Sequence, residues 1–482
     1  MSEVVETIDG EDELAPLHAE IAEKLPAGWV LETLGSLCEK PQYGWTTKAD
    51  KLGGDIKFLR TTDITPGVVD WQSVPYCMEA PADLEKYLIK DGDILISRTG
   101  SIGVNYLVVK PEPAVFASYL IRFRPRKTIS TKYLKYYLQS PAYWRAINAG
   151  KKGIAVQNVN AKMLSRIPIP VAPLAVQQEI VAEIEKQFSR LDEAVANLQR
   201  VKANLKRYKA SVLKAAVEGR LVETEASIAQ REGRSYETGE QLLQRILEER
   251  RSKWAAKGKY KEPQSTNVTE LGDLPDGWTW VSAEQACERV VDCHNKTAPY
   301  TSAGIPLIRT TNIKDGRLLL DDTRFVDEPT YEFWSRRCPP EPGDVLFTRE
   351  APMGEAGIIP AGVKLCLGQR TMLLRPSPAI AGSFLLSALL SPVVKDLIDR
   401  VAVGSGVKHL RVGDVERLPV PLPPAKEQIR IVSEVDRHLS IIREIEAEID
   451  GNLLRAGVLR QAVLKKNFTK PQGEINELDR PG

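Results

Sequence analysis

The string "LPAGWV" at residues 25–30 returns as "LPDGWT" at 274–279, 249 positions later. One such match could be chance, because Pro and Gly mark turns in any chain. The register, however, persists. "IKFLRTTDITPG" (56–67) aligns with "IPLIRTTNIKDG" (305–316) at the same offset of 249, and "DGDILISRTGSIG" (91–103) aligns with "PGDVLFTREAPMG" (342–354) at 251. "RFRP…KYLKYYLQSP" is answered by "MLLRP…SFLLSALLSP", and "SRIPIPVAP" (165–173) by "ERLPVPLPP" (416–424), both at 251. The chain is a tandem duplication. Whatever fold one copy adopts, the other adopts too.

Each copy has two parts. The first, residues 25–170 or 274–421, holds short β-type runs such as "DILIS", "YLIRFRP" and "DVLFTR" between Gly, Pro and Asp turns, with one helix expected near 131–149 and near 380–400. The second begins after a proline cluster (Pro168, Pro170, Pro173; Pro419, Pro421, Pro423, Pro424) and runs about 44 residues without Pro or strand signal. Proline suits a helix start, where its missing N–H costs nothing. These segments carry apolar seams: Ile180, Ile184, Phe188, Leu191, Val195, Leu198, Leu205, Tyr208 and Val212 in one, and Ile431, Val435, Leu439, Ile442, Ile449, Leu459 and Val463 in the other. A helix of that length, about 65 Å at 1.5 Å per residue, cannot bury its stripe against a small domain of its own. Its duplicate is the nearest partner. Two copies close best about a two-fold, which sets the long helices antiparallel.

The expected fold is therefore α+β: two mixed α/β globular domains alternating with two long helices that pair as an antiparallel coiled coil, a pseudo-two-fold tandem repeat. The expected segments are an N-terminal extension (1–24), a first globular domain (25–173), a spacer helix (174–219), a linker (220–273), a second globular domain (274–424), a second spacer helix (425–468) and a tail (469–482). Within the linker, 239–256 reads as helix and the rest as polar chain. "RRSKWAAKGKYK" (250–261) could touch phosphates or be a solvated helix end.

Composition narrows the function. A chain of 482 residues with 43% hydrophobic and 27% charged residues is of ordinary soluble type. Its net charge of +2 means that any nucleic-acid surface must be local. The acidic start lacks an apolar signal core, and "FLLSALLSPVV" is too short to span a bilayer, so a cytoplasmic, non-membrane protein is expected. The six cysteines form no CxxC pair, and Cys38 and Cys287 stand 249 apart as matching core positions, so no metal site is expected. There is no GxxxxGK[ST] or GxGxxG loop, and no Asn/Asp-Pro-Pro-aromatic tetrapeptide of an adenine methyltransferase. No catalytic residue is assigned.

The polar loops suit a binding face. "QYGWTTKADK" offers Tyr43, Trp45, Thr46, Thr47 and Lys48, the mixture that meets base edges and phosphates. Arg60, Thr61 and Thr62 follow one strand, and Arg309, Thr310, Thr311 and Asn312 follow its duplicate. Arg98, Thr99 and Ser101 match the position of Arg349. Lys151, Lys152, Gln157 and Asn158 in one copy, and Lys408, His409 and Arg411 in the other, add glycine-backed donors; His294 and Lys296 complete the set. Gly92, Asp93, Gly343 and Asp344 read as turn formers.

Two variable domains opening on "LPxGW" and carrying "GDILISRTGSIG", alternating with helices entered through "PIPVAPLAVQQEI" and "PLPPAKEQIRI", resemble the specificity (S) subunit of type I restriction–modification systems, over residues 25 to about 468. The resemblance implies two target-recognition domains that each read half of a bipartite, asymmetric site on double-stranded DNA. It also implies two modification (M) subunits, restriction (R) subunits, and S-adenosylmethionine and ATP/Mg bound by those partners, with no cofactor on this chain. "TREAPMG" departs from "SRTGSIG" and puts contacts carried over to Glu350 and Ala351 in doubt. Two other readings stand beside it: a coiled-coil scaffold that does not bind DNA, and a stand-alone DNA-modifying enzyme.

Overall fold

The computed structural model describes residues 13–469 except 52, 151–157, 255–258, 270, 295 and 405. They form two compact units, Met1–Leu198 with Asp450–Gly482, and Gln199–Ile449.

Each unit contains a head of the same topology. In the first, a four-stranded antiparallel sheet runs in the order Gln42–Tyr43, Leu120–Phe123, Ile94–Ser97, Asn105–Leu107. In the second, the order Cys287–Asp292, Thr371–Pro376, Val345–Thr348, Ala356–Ile358 repeats it. A second sheet in each head, four-stranded in the first and three-stranded in the second, holds one parallel pair, Lys57–Leu59 with Ala114–Phe116 and Ile305–Ile308 with Cys366–Leu367. The central strands Ile94–Ser97 and Val345–Thr348 are buried throughout, hence their unbroken apolar character.

The first two prolines of each cluster stand ahead of the helix and take no part in its start. They lie in strands, Pro168–Val171 paired with Val30–Thr33 and Pro419–Leu422 paired with Thr279–Ser282. Each pair is a separate two-stranded sheet, so prolines at alternate positions can turn their missing N–H away from the single partner. The helices start at Leu174 and Ala425.

The single helix expected near 131–149 is two, Thr131–Tyr137 and Pro141–Ala149, and its duplicate is Gly382–Leu390 and Pro392–Val401. Both breaks fall at Ser-Pro. The proline cannot continue the preceding ladder, and the hydroxyls of Ser140 and Ser391 accept the Tyr143 and Val394 N–H groups to cap the next helix. The linker also exceeds expectation: besides Gly239–Ser252 it forms a helix at Glu225–Glu232, ended by Gly233 at φ 64°. Its basic run is tied down, with Arg250 donating to the carbonyls of Glu284 (2.6 Å) and Cys287 (3.0 Å) and Lys253 pairing with Glu288 (3.4 Å).

The long helices, Leu174–Val217 and Ala425–Thr469, each contribute one half to each unit. In the first unit Arg460 lies 3.9 Å over the Phe188 ring and pairs with Asp192, while Phe468 reaches Tyr133 and Tyr137 at 5.1 and 5.2 Å. In the second, Tyr208 Oη meets His438 Nδ1 at 2.9 Å, and Val212 and Ala216 share a core with Ile431 and Val435. The halves run antiparallel within each unit. Tyr208, 46% exposed, holds its His438 contact at the edge of the seam, and one expected seam residue, Leu459, falls outside it at 55% exposed. Ten residues beyond buried Ile449, at 100° each, Leu459 sits about 80° off the stripe, and Ala456 takes the buried place.

A buried glutamine fastens each helix to its head. Gln177 accepts the Ser130 N–H at 2.8 Å and donates to the Ala172 carbonyl at 2.8 Å; Gln428 accepts the Ala381 N–H at 3.0 Å and donates to the Pro423 carbonyl at 3.2 Å.

Candidate nucleic-acid interface

In the first head, the carboxyl ends of the parallel strands bring residues 60–62 and 117–119 side by side, with the Ala117 N–H donating to Leu59 O at 2.9 Å. The 43–48 loop crosses them closely: Trp45 N–H donates to Phe116 O (2.7 Å) and Ser118 N–H to Trp45 O (2.9 Å). A Cβ on Gly44 would stand 2.2 Å from Ala117 O, so only glycine fits. Arg98 joins the remaining loops. Its N–H donates to Tyr119 O (2.9 Å), its guanidinium lies 5.1 Å over the Tyr43 ring, and its Nε donates to Asn158 Oδ1 at 3.3 Å. Ala161 N–H donates to Tyr43 Oη at 2.9 Å. Five separate stretches of chain thus meet on one face.

The second head repeats the backbone with other side chains. Gly368 N–H donates to Ile308 O (2.7 Å), Arg349 N–H to Arg370 O (2.9 Å) and Leu410 N–H to Arg349 O (3.0 Å). Thr310 Oγ1 donates to Ala351 O at 2.9 Å and Gln369 Nε2 to Thr297 Oγ1 at 3.0 Å. A cavity of about 170 Å³ opens between these loops, lined by Tyr300, Arg309, Thr311, Gln369 and Arg370 among others. Among the described residues no His/Cys/Asp/Glu group could hold a metal ion. All six cysteines are buried and free, and none of the described helices is long and apolar enough to cross a membrane.

Residues 26–207 and 303–451 match the family described as type I restriction modification DNA specificity domain. The chain belongs to this family. It is 24% identical over 430 residues to the EcoBI specificity subunit of Escherichia coli, covering 87% of this chain and 80% of that one. It is also 24% identical over 474 residues to the EcoKI specificity subunit of Escherichia coli strain K12, covering 94% and 90%. A solved chain of a type I R-M system, described for its assembly and conformational transition, superposes with a TM-score of 0.58 at 21% identity, over 92% of this chain and 98% of that one. That likeness speaks for the fold.

Within this type I DNA specificity chain, several residues expected at the interface are held in the scaffold instead. Arg60 grips Asp63 through Nε (3.0 Å) and Nη2 (2.8 Å), and this hydrogen bonding holds its pKa above the ordinary arginine value. Asn312 is 3% exposed, with its amide donating to the Leu319 and Asp322 carbonyls. Arg349 pairs with Asp292 at 3.0 Å, its side chain 17% exposed. Trp45 donates to Glu79 O at 2.8 Å and packs edge-on against Tyr87. His294 stacks on Trp334 at 4.7 Å; desolvation first, then Arg336, hold its imidazole below the usual pKa, so at neutral pH it carries no charge for a phosphate.

Tyr43, Thr46, Lys48, Thr62, Ser101, Lys296, Thr311, Lys408 and Arg411 are exposed, and Thr47, Thr61, Arg98, Thr99, Asn158, Arg309, Thr310 and His409 half-buried. Lys151, Lys152 and Gln157 lie outside the described residues. Sequence reasoning passed over Ser118 and Tyr119, Thr297 and Tyr300, and Gln369 and Arg370. The signal was there: immediately before the shared strand, "SY" in one copy faces "QR" in the other.

Proposed function

We propose that this chain is the non-catalytic DNA-reading subunit of a type I restriction–modification complex and that it reads a bipartite, asymmetric site. The observation that carries this is the pair of convergent loop faces, built on one backbone scaffold and furnished with different side chains. Different donors and acceptors select different base edges, so the two half-sites differ. The two long helices act as the ruler between them, since heads reading one face of B-DNA need centres about 34–36 Å apart. Two M subunits supply adenine methylation with S-adenosylmethionine, and R subunits supply ATP/Mg-dependent cleavage, in the cytoplasm. Leu454 and Val458, one turn apart and 75% and 70% exposed on the C-terminal helix, suit an M-subunit contact.

Co-expression with the M subunit and genome-wide mapping of methylated sites tests the reading. A gapped motif with unlike halves is expected. A palindromic motif would sink asymmetry, and a chain that shows no salt-dependent affinity for DNA would be a scaffold.

A further inference from the structure

Positions 119 and 370 are one position of the scaffold. Each follows the second strand of the parallel pair, each lends its carbonyl to the N–H of an arginine (Arg98 or Arg349, both 2.9 Å), and each leaves its side chain outside: Tyr119 is 60% exposed, and the Arg370 side chain 53%. Three of the arginines repeated between the copies are tied to side chains, Arg60 to Asp63, Arg98 to Asn158 and Arg349 to Asp292, while the fourth, Arg309, lines the same cavity as Arg370. Arg370 is not repeated. It also adopts φ 66°, a left-handed conformation that a side chain rarely takes, whereas Tyr119 has no positive φ.

The neighbouring position changes in step. Where the first head has Tyr119 and Thr99 at these two positions, the second has Arg370 and Glu350, and Glu350 Oε2 lies 3.0 Å from Arg370 Nε. This gives Glu350, one of the departures of "TREAPMG" from "SRTGSIG", a partner. The ion pair engages the stem side of the guanidinium and leaves the terminal nitrogens as a two-pronged donor at the rim of the cavity that Tyr300, Thr311 and Gln369 also line. A carboxylate beside the cation cancels its charge, which removes most of its value to a phosphate. It does not remove its directional donors. Two parallel donors match guanine O6 and N7 in the major groove.

We propose that Arg370, aimed by Glu350 as a positioning residue, reads a guanine in the half-site of the second head. The assignment rests on the DNA-reading function proposed above. Its test is the methylation motif of the full chain, expressed with its M subunits in a host free of other adenine methylation. For Arg370→Ala, the first half-site stays intact and discrimination at one G·C pair of the second falls about 5- to 150-fold, the range of one bidentate contact. Arg370→Lys relaxes the same pair, because an ammonium is a single point charge. Glu350→Gln gives an intermediate loss at that pair and nowhere else.

An unchanged motif overturns the assignment, and so does a uniform fall at all sites, the mark of a phosphate contact. Should Arg370→Ala abolish methylation altogether, Arg370→Lys decides: an intact motif with lysine overturns the proposal. A wild-type motif that is not bipartite overturns the function itself; a bipartite motif unmoved by all three variants overturns only the role of Arg370.

Discussion

Asp93 and Asp344 stand 251 positions apart and do the same thing: each is buried beneath its head and held by an arginine fork, Arg124 at 2.7 and 2.9 Å, Arg375 at 2.8 and 2.8 Å. Each also accepts a backbone N–H at 2.8 Å, from Lys90 and Glu341. Tyr119 and Arg370 share the same spacing and the same carbonyl bond to an arginine N–H, yet differ in side chain and in φ. The base of the head has kept its side chains through duplication, whereas the rim has kept some, Arg98 and Arg349 among them, and changed others. A surface that must address different DNA needs that division, because readers can change only on a frame that does not depend on them.

The largest effects should fall on the base, in both copies. Asp93→Ala and Asp344→Ala each take a buried carboxylate out of its arginine fork and should cost about 3–5 kcal/mol, with Asp344→Ala at the lower end because Arg375 keeps Glu341 at 3.1 Å and the Pro339 carbonyl at 2.7 Å. Denaturant unfolding of the chain measures both; a cost in one head and none in the other would break the equivalence. Gln177→Leu and Gln428→Leu strip the fastening of each long helix and leave buried backbone groups unpaired, for about 1–3 kcal/mol each in the same assay. At the rim, Tyr119→Ala should change stability by no more than about 0.5 kcal/mol. Methylation mapping should show it altering base preference in the first half-site only; a shift in the second would mean that the rims are not independent.

The last prediction touches neither base nor rim. Four residues inserted after Leu198 lengthen one long helix by about 6 Å while keeping its stripe within about 40° of phase. Both half-sites should survive while the unread gap grows by about one or two base pairs, given a rise near 3.4 Å per pair. An unchanged gap would remove the helices from that role.

The duplication, the strands and the long helices were legible in the sequence because they rest on patterns that repeat: an offset held over much of the chain, unbroken apolar runs at "DILIS" and "DVLFT", a stripe without proline. The Ser-Pro breaks at 140–141 and 391–392 were in plain view, but proline also opens helices, and only packing decides which it does. The scaffold contacts of Arg60 and Asn312 were hidden for a different reason. An arginine after a strand looks like a ligand contact until its partner is known, and Asp63, three residues on, closes it into a capping turn. Recurrence drew the choice toward such residues. Recurrence, as Asp93 and Asp344 show, also marks the frame, and the copies differ in exposed side chains at 119 and 370.

The first unit is assembled from two distant stretches of chain, Met1–Leu198 and Asp450–Gly482, whereas the second is the single stretch Gln199–Ile449. On the ribosome this inverts the usual order. The second unit can close as it emerges, but the first must wait while residues 199–449 are made, roughly 10–50 s at 5–20 residues per second. Leu464 and Phe468 arrive last, and until then Tyr133, Tyr137, Ile180 and Ile184 lack part of their core. A newborn first head is therefore an open apolar surface for much of its synthesis, and a chain cut short by some twenty residues would never close it.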